Sequence, residues 1–230
     1  MEDKRFWSRL GQDEFSLYGE IVMDAGCKWS DDDVAPADVR DALAAAGGRD
    51  IFIRVNSPGG DVFSGIAIYN QLKAYPGRVT AKVEGLAASI ASVIVMAADE
   101  IQMPENSYLM VHRAWTYACG NAEELMEQAA VLERIDGSMM DAYREKLKDP
   151  SLEDELRAAV EAETWMGARE AARFFNLTVT GAEEIAASAG SAAALARCKA
   201  VLPAGMREED ENEPLAEEIR MRLKLMEMEG

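Results

Sequence analysis

Asp50–Val55 (Asp-Ile-Phe-Ile-Arg-Val) runs without interruption into Asn56-Ser-Pro-Gly-Gly-Asp61. From there the chain enters Val62–Ala74, where Ile66, Tyr69 and Leu72 recur at helical spacing. The first segment is apolar and β-branched and predicts a buried strand. The glycine cluster predicts a turn, and the third segment a helix. Strand, glycine turn and helix in direct succession point to βαβ units with right-handed crossovers, which makes the chain an α/β protein.

The surrounding sequence repeats the alternation. Asp13–Met23 places Phe15, Leu17 and Ile21 in the pattern of a strand with one buried face. Ala37–Ala46 follows Pro36 and stops at Gly47-Gly48, the start and stop signals of a short helix. Arg78–Val83 predicts the next strand, broken at Gly85. Ala87–Ala98, small and apolar throughout, predicts a helix buried on every side. Ile101–Met103 and Ser107–Val111 read as short strands. Asn121–Lys148 predicts one long helix, with Asn121 as N-cap and Glu123 and Glu124 where the helix dipole favours acids. Leu125, Leu132, Ile135, Met139, Met140, Tyr143 and Leu147 form its apolar face. Helices over Leu152–Val160 and Gly167–Phe175 follow.

Composition changes near Asn176, so the expected organisation is one domain over residues 1–176 and an extension over 177–230. The extension is first alanine-rich and then acidic, and reads as a solvated tail; a partner-binding stripe of Leu215, Ile219, Leu223 and Met226 is the sharper alternative.

Charge narrows the partners. With 24 basic and 42 acidic side chains the net charge is −18, which argues against nucleic acid or an anionic membrane surface as the main partner. The longest near-continuous apolar run, Gly85–Ala98, falls short of the ~20 residues that span a bilayer. The first residues, Met1-Glu-Asp-Lys-Arg-Phe-Trp, show no secretory signal. Cys27, Cys119 and Cys198 are odd in number and far apart, giving neither a disulfide framework nor metal-ligand spacing. A soluble cytoplasmic protein without metal or cofactor is expected.

The chain has one histidine, His112, at the end of the apolar segment Tyr108-Leu-Met-Val. A lone histidine there is more often structural than catalytic. Its company changes the reading. Ser89 follows Gly85-Leu-Ala-Ala at a strand-to-helix turn, where backbone N–H groups lack partners and the helix dipole is positive. A plain helix cap is the simpler role for it, and the segment is not a G-x-S-x-G elbow. Ser57-Pro-Gly-Gly60 supplies adjacent glycines that let backbone approach a ligand and present N–H groups to negative charge. A phosphate loop does not fit, because no lysine follows in the required place. Together these segments offer a nucleophile, an imidazole base and an oxyanion site.

Three strings carry a resemblance: Ile53-Arg-Val-Asn-Ser-Pro-Gly-Gly, Gly85-Leu-Ala-Ala-Ser-Ile-Ala-Ser and Leu109-Met-Val-His. In this order they resemble the proteolytic subunit of the Clp protease, over roughly Phe15 to Phe175. The string Gly60-Asp-Val-Phe-Ser-Gly-Ile-Ala-Ile-Tyr-Asn and the later Glu163-Thr-Trp-Met are similar to the subgroup found in phages and prophages, taken as head-maturation (prohead) proteases. The resemblance implies a spiral of ββα units, the fold shared with crotonases, with a long helix as a handle-like extension. It implies Ser89 as nucleophile, His112 as general base, and the backbone N–H groups of Gly60 and Ile90 as oxyanion hole. Ile90 also fits from the sequence, since it follows the nucleophile at the helix start.

For the third catalytic member the resemblance points to Glu163, where the family usually has aspartate. Asp136 is the runner-up and reads more simply as a solvated charge. A longer carboxylate can still orient an imidazole. Arg113-Ala-Trp stands where Clp subunits commonly have a proline soon after the histidine. The resemblance further implies a polypeptide substrate, capsid or scaffold segments if the source is viral, and self-association into rings with the long helix at an interface. The N-terminal stretch shows no apolar arm of the kind Clp subunits use against their AAA+ unfoldase, so dependence on one is not expected. Two other readings stand beside the serine endopeptidase. A crotonase-type acyl-coenzyme A enzyme would leave the Ser89–His112 pairing unexplained, and an inactive ring-forming scaffold would make Ser89 a cap and His112 a core residue.

Overall fold

The structure, a computed structural model, describes residues 13–181. The elements follow the order β1 (Glu14–Ile21), α1 (Pro36–Ala46), β2 (Ile51–Gly60), α2 (Val62–Lys73), β3 (Val79–Ala88), α3 (Ile90–Val95), β4 (Glu100–Pro104) and β5 (Tyr108–Val111). Then come α4 (Ala122–Arg144), α5 (Glu153–Glu161), β6 (Thr164–Gly167), α6 (Ala168–Phe174) and β7 (Thr178–Thr180). This is the α/β architecture that the alternation predicts. β1, β2, β3, β4 and β7 lie side by side and are all parallel. β7, past the boundary expected at 176, extends the sheet beyond β4.

Alternating side chains put Phe15, Leu17, Ile51, Ile53, Val55, Val79, Ala81 and Val83 into one core. Each large member contributes about 1.5–3 kcal/mol on burial. The intervening residues carry charge: the Arg54 guanidinium holds Glu14 and Glu84, each at 2.6 Å. Helices α2 and α3 pack on β2 and on each other.

The sheet forks at β3, and the fork makes the site. Thr80–Lys82 pair with Glu100–Gln102 of β4, whereas Leu86–Ala88 pair with Tyr108–Met110 of β5. β5 in turn pairs antiparallel with β6, from Tyr108↔Gly167 to Val111↔Thr164.

Three local expectations are corrected here. Asn56–Gly60 is not a turn: β2 continues through it, pairing with β1 across a bulge up to Ile21↔Gly60, so the glycines serve the strand's close approach. Gly85 does not break β3, because the strand runs on to Ala88; a Cβ at Gly85 would lie 2.8 Å from Asn56 Oδ1, so the missing side chain admits a neighbour. The helix expected over Ala87–Ala98 is confined to Ile90–Val95, since Ala87 and Ala88 are claimed by the β5 ladder. Its burial on every side holds, with Ile90 to Ala98 all buried.

Helix α4 begins as expected. The Asn121 side chain accepts the N–H groups of Glu123 and Glu124, and Glu124 accepts the N–H of Asn121. Its two halves differ. Ile135, Met139, Met140 and Tyr143 are buried, whereas Leu125, Met126 and Val131 are exposed. The buried end is tied to α6, with Lys148 N–H donating to the Phe174 carbonyl and Tyr143 against the Phe175 ring. Among the described residues no helix is long and apolar enough to cross a membrane. The alanine-rich run and the acidic stripe of the extension, from residue 182 on, lie outside the described residues, as do residues 1–12.

Candidate active site

Ser89 occupies the single step between the end of β3 and the start of α3. It adopts φ 55°, ψ −130°, a conformation that costs a side-chain-bearing residue on the order of 1–3 kcal/mol. Packing on both sides enforces the step. Its N–H donates to the Met110 carbonyl at 3.0 Å, extending the β3–β5 ladder by one bond. Its carbonyl accepts the Ser92 hydroxyl at 2.6 Å, and Ser92 in turn meets the fully buried Tyr143 hydroxyl of α4 at 2.7 Å. Since the Ser92 proton is committed to Ser89, Tyr143 is the donor in that second bond.

The glycine strand stands against this turn. A Cβ at Gly59 would fall 2.7 Å from both the Ala88 carbonyl and the Ser89 Cβ, and 3.2 Å from the Ile90 nitrogen, at a φ of +94°. Only glycine fits there. At Gly60, φ is +146° and a Cβ would fall 2.1 Å from the Ile21 carbonyl oxygen. Ser57, fully buried, fixes the strand from within by donating to the Gly19 carbonyl and accepting the Gly59 N–H. Gly60 itself is exposed, and Ile90 opens α3, so its N–H has no intrahelical acceptor.

His112 sits one residue past β5. Its Nε2 is 2.7 Å from the Ser89 hydroxyl oxygen, within hydrogen-bond distance. The β5–β6 ladder ends at Val111↔Thr164, so the next residue of each strand, His112 and Glu163, come together. Glu163 Oε2 is 3.9 Å from His112 Nδ1, an ion-pair distance longer than a hydrogen bond. Glu163 also has positive φ, 52°. Among the described residues, Ser89 and Glu163 are the two non-glycine residues with that backbone, and they stand on either side of one imidazole.

Burial sets the titration of both groups. His112 is 8% exposed, and loss of solvent holds its pKa below the ordinary value near 6.5, with the Asp136 charge pulling the other way. Burial pushes the Glu163 carboxyl up. A depressed imidazole pKa keeps His112 in the basic form at neutral pH, as a proton acceptor requires.

Asp136 is not the solvated charge that its helix position suggests. Its side chain is only 15% exposed; Oδ1 accepts the Ala114 N–H and Oδ2 the Arg113 Nε, both at 2.7 Å. It therefore lies next to the site without competing with Glu163 for the imidazole. Gly59, Ser92 and Tyr143 are the contributors that sequence reading passes over. Gly59 was legible as half of a Gly-Gly pair, but nothing in the sequence links Tyr143 to Ser92, 51 positions away.

Comparison with known proteins identifies the family. The family model described as Clp protease matches residues 32–174, well over half of the chain. The chain belongs to the Clp protease family. It is 29% identical over 129 residues to the ATP-dependent Clp protease proteolytic subunit of Deinococcus radiodurans, covering 55% of this chain and 62% of that protein. It is 30% identical over 139 residues to the protein of the same name from Pleurastrum terricola, covering 59% and 69%. Against ATP-dependent Clp protease proteolytic subunit 1 of Chlamydia pneumoniae it is 32% identical over 131 residues, covering 55% and 68%. The chain thus spans about two thirds of the length of these Clp relatives.

Proposed function

We propose that this Clp-family chain is a serine endopeptidase in which Ser89 attacks the peptide carbonyl and His112 takes its proton. The observation that carries this reading is the 2.7 Å Ser89–His112 contact at a backbone-strained turn. His112 Nε2 accepts the hydroxyl proton as Oγ bonds to the carbonyl carbon, then returns it to the leaving amine; water repeats the cycle on the acyl-enzyme. The N–H groups of Gly60 and Ile90 stabilise the developing oxyanion, and Glu163 stabilises the imidazolium. Membership in a protease family supports the reaction class.

The substrate is polypeptide. The phage-type strings around Asp61–Asn70 and Glu163–Met166 support capsid or scaffold segments as the natural target. The exposed apolar residues of α4, Leu125, Met126 and Val131, support self-association through that helix. A protein that light scattering finds monomeric at micromolar concentration would contradict the assembly.

The deciding experiment is labelling with a fluorophosphonate and mass location of the adduct. Modification confined to Ser89 is the expected result. An unreactive Ser89 would favour the inactive scaffold, and turnover of an acyl-coenzyme A thioester without labelling would favour the crotonase-type enzyme.

A further inference from the structure

We propose that Asp136 is the positioning residue for His112, holding the imidazole in place by clamping the two residues that follow it. The inference rests on the reading of His112 as the base.

The need for such a clamp follows from the topology. The β5–β6 ladder stops at Val111, and residues 112–119 have no regular secondary structure. His112 is therefore carried by a strand that has just lost its partner. The next two residues are caught by one carboxylate: Ala114 through its backbone N–H and Arg113 through its Nε. A bond to backbone N–H fixes the path of the main chain, which a contact between side chains alone would not do. Charged acceptors make such bonds about twice as strong as neutral ones.

The clamp is itself anchored. Asp136 lies on α4 beside Ile135, which is buried, and one turn before Met139 and Met140, also buried. Two turns on, Tyr143 reaches Ser92 and through it the Ser89 carbonyl. Helix α4 thereby touches the supports of both reacting groups, and their separation is set by one rigid element.

The ionisable groups around the imidazole are Glu163 from the turn before β6, Asp136 from α4 and Arg113 from its own segment, with the Ser89 hydroxyl from the start of α3. Arg113 neutralises part of the Asp136 charge, but that charge still favours the imidazolium. Removing it should move the His112 titration to lower pH.

Because His112 is the sole histidine, its titration can be read by NMR on the full-length protein with isotope-labelled histidine, independently of activity. Asp136→Asn keeps an acceptor for Ala114 and removes the charge; Asp136→Ala removes both; Asp141→Asn, exposed on the same helix, is the control. For Asp136→Asn the expected result is a His112 midpoint below wild type and fluorophosphonate labelling slowed severalfold. For Asp136→Ala labelling should slow by roughly tenfold to a hundredfold, the range for a misplaced catalytic group. Asp141→Asn should match wild type in both. Labelling that slows while the Asp136→Asn midpoint stays at the wild-type value makes Asp136 merely structural and overturns the proposal, as does an Asp136→Ala protein with both readouts unchanged. If Asp136→Ala does not fold, the isosteric Asp136→Asn decides alone. A wild-type Ser89 that never reacts refutes the hydrolase reading, while the histidine midpoint still tests the clamp.

Discussion

On one side of His112, Nε2 stands 2.7 Å from the Ser89 hydroxyl; on the other, Nδ1 stands 3.9 Å from Glu163. The two sides are also built differently. Ser89 is held by the β5 ladder through its N–H, by Ser92 through its carbonyl and by Gly59 across its Cβ. Glu163 hangs on a turn after α5, with its N–H on the Val160 carbonyl at 3.3 Å, a long bond. In the proposed reaction the nucleophile side is fixed before substrate arrives. The carboxylate side has room to tighten once positive charge forms on the ring, since catalytic hydrogen bonds are commonly long until the complex assembles.

The largest effect should come from the fixed side. Ser89→Ala and His112→Ala are each expected to lower peptidase turnover by roughly four orders of magnitude or more, and the double variant to be no worse than either. Undiminished turnover by Ser89→Ala would sink the assignment. Additive losses would show that the two residues do not act as a unit.

Glu163→Gln should come next, lowering the rate by roughly two to four orders of magnitude, as loss of an orienting carboxylate does elsewhere. A loss of less than about tenfold would mean that the 3.9 Å gap persists in the working enzyme and that Ser89 and His112 act as a dyad. Either outcome measures how far the carboxylate side closes during the reaction.

The difference between the two sides also explains what could be read from the sequence. Ser89, His112 and the glycine pair each lie in a short string with a recognisable local pattern, so the sequence carries them even though the contacts that join them span more than 20 positions. The full extent of β2 and β3 is hidden in the sequence because Asn56–Gly60 and Gly85 look like turn residues, and only pairing with β1 and β5 keeps them extended. β6 has no signal of its own in the sequence. Thr164–Gly167 has four residues and no alternation, and it is a strand because β5 offers an open edge. Asp136 and Tyr143 act across 22 and 51 positions, by way of a helix whose path periodicity cannot give.

The pH profile sharpens the comparison further. Burial lowers the His112 pKa, so the acidic limb of kcat/KM should fall below the ordinary imidazole value near 6.5. The sign for stability follows: the contribution of a neutral buried His112 is present above about 6.5 and is lost as pH falls through the lower folded value. A limb above 6.5 in the free enzyme would mean that Glu163 already holds Nδ1 closely, against the 3.9 Å separation. In Asp136→Asn the limb should fall further, because the charge that favours the imidazolium is gone.

The smallest effects should come from the link between Ser89 and α4, where two single changes separate its parts. Tyr143→Phe removes the donor to Ser92, but the Ser92 hydroxyl can still donate to the Ser89 carbonyl. Only one buried hydrogen bond is lost, costing about 1 kcal/mol of stability, and turnover should fall by no more than a few fold. Ser92→Ala does more. It removes the hydroxyl from the Ser89 carbonyl, which keeps only the Ser92 N–H at 3.0 Å, and leaves the fully buried Tyr143 hydroxyl without the acceptor it uses, a penalty of roughly 1–3 kcal/mol. One of the three restraints on the strained Ser89 backbone is thereby weakened, and the rate should fall by up to about tenfold, the scale of a small displacement of a reacting group. Denaturant unfolding and turnover measured on both variants should therefore rank Ser92→Ala below Tyr143→Phe on each axis. The opposite ranking in turnover would mean that Tyr143 places Ser89 by a route other than Ser92, and the fixed side of the imidazole would owe its geometry to the α4 packing instead of the hydroxyl chain.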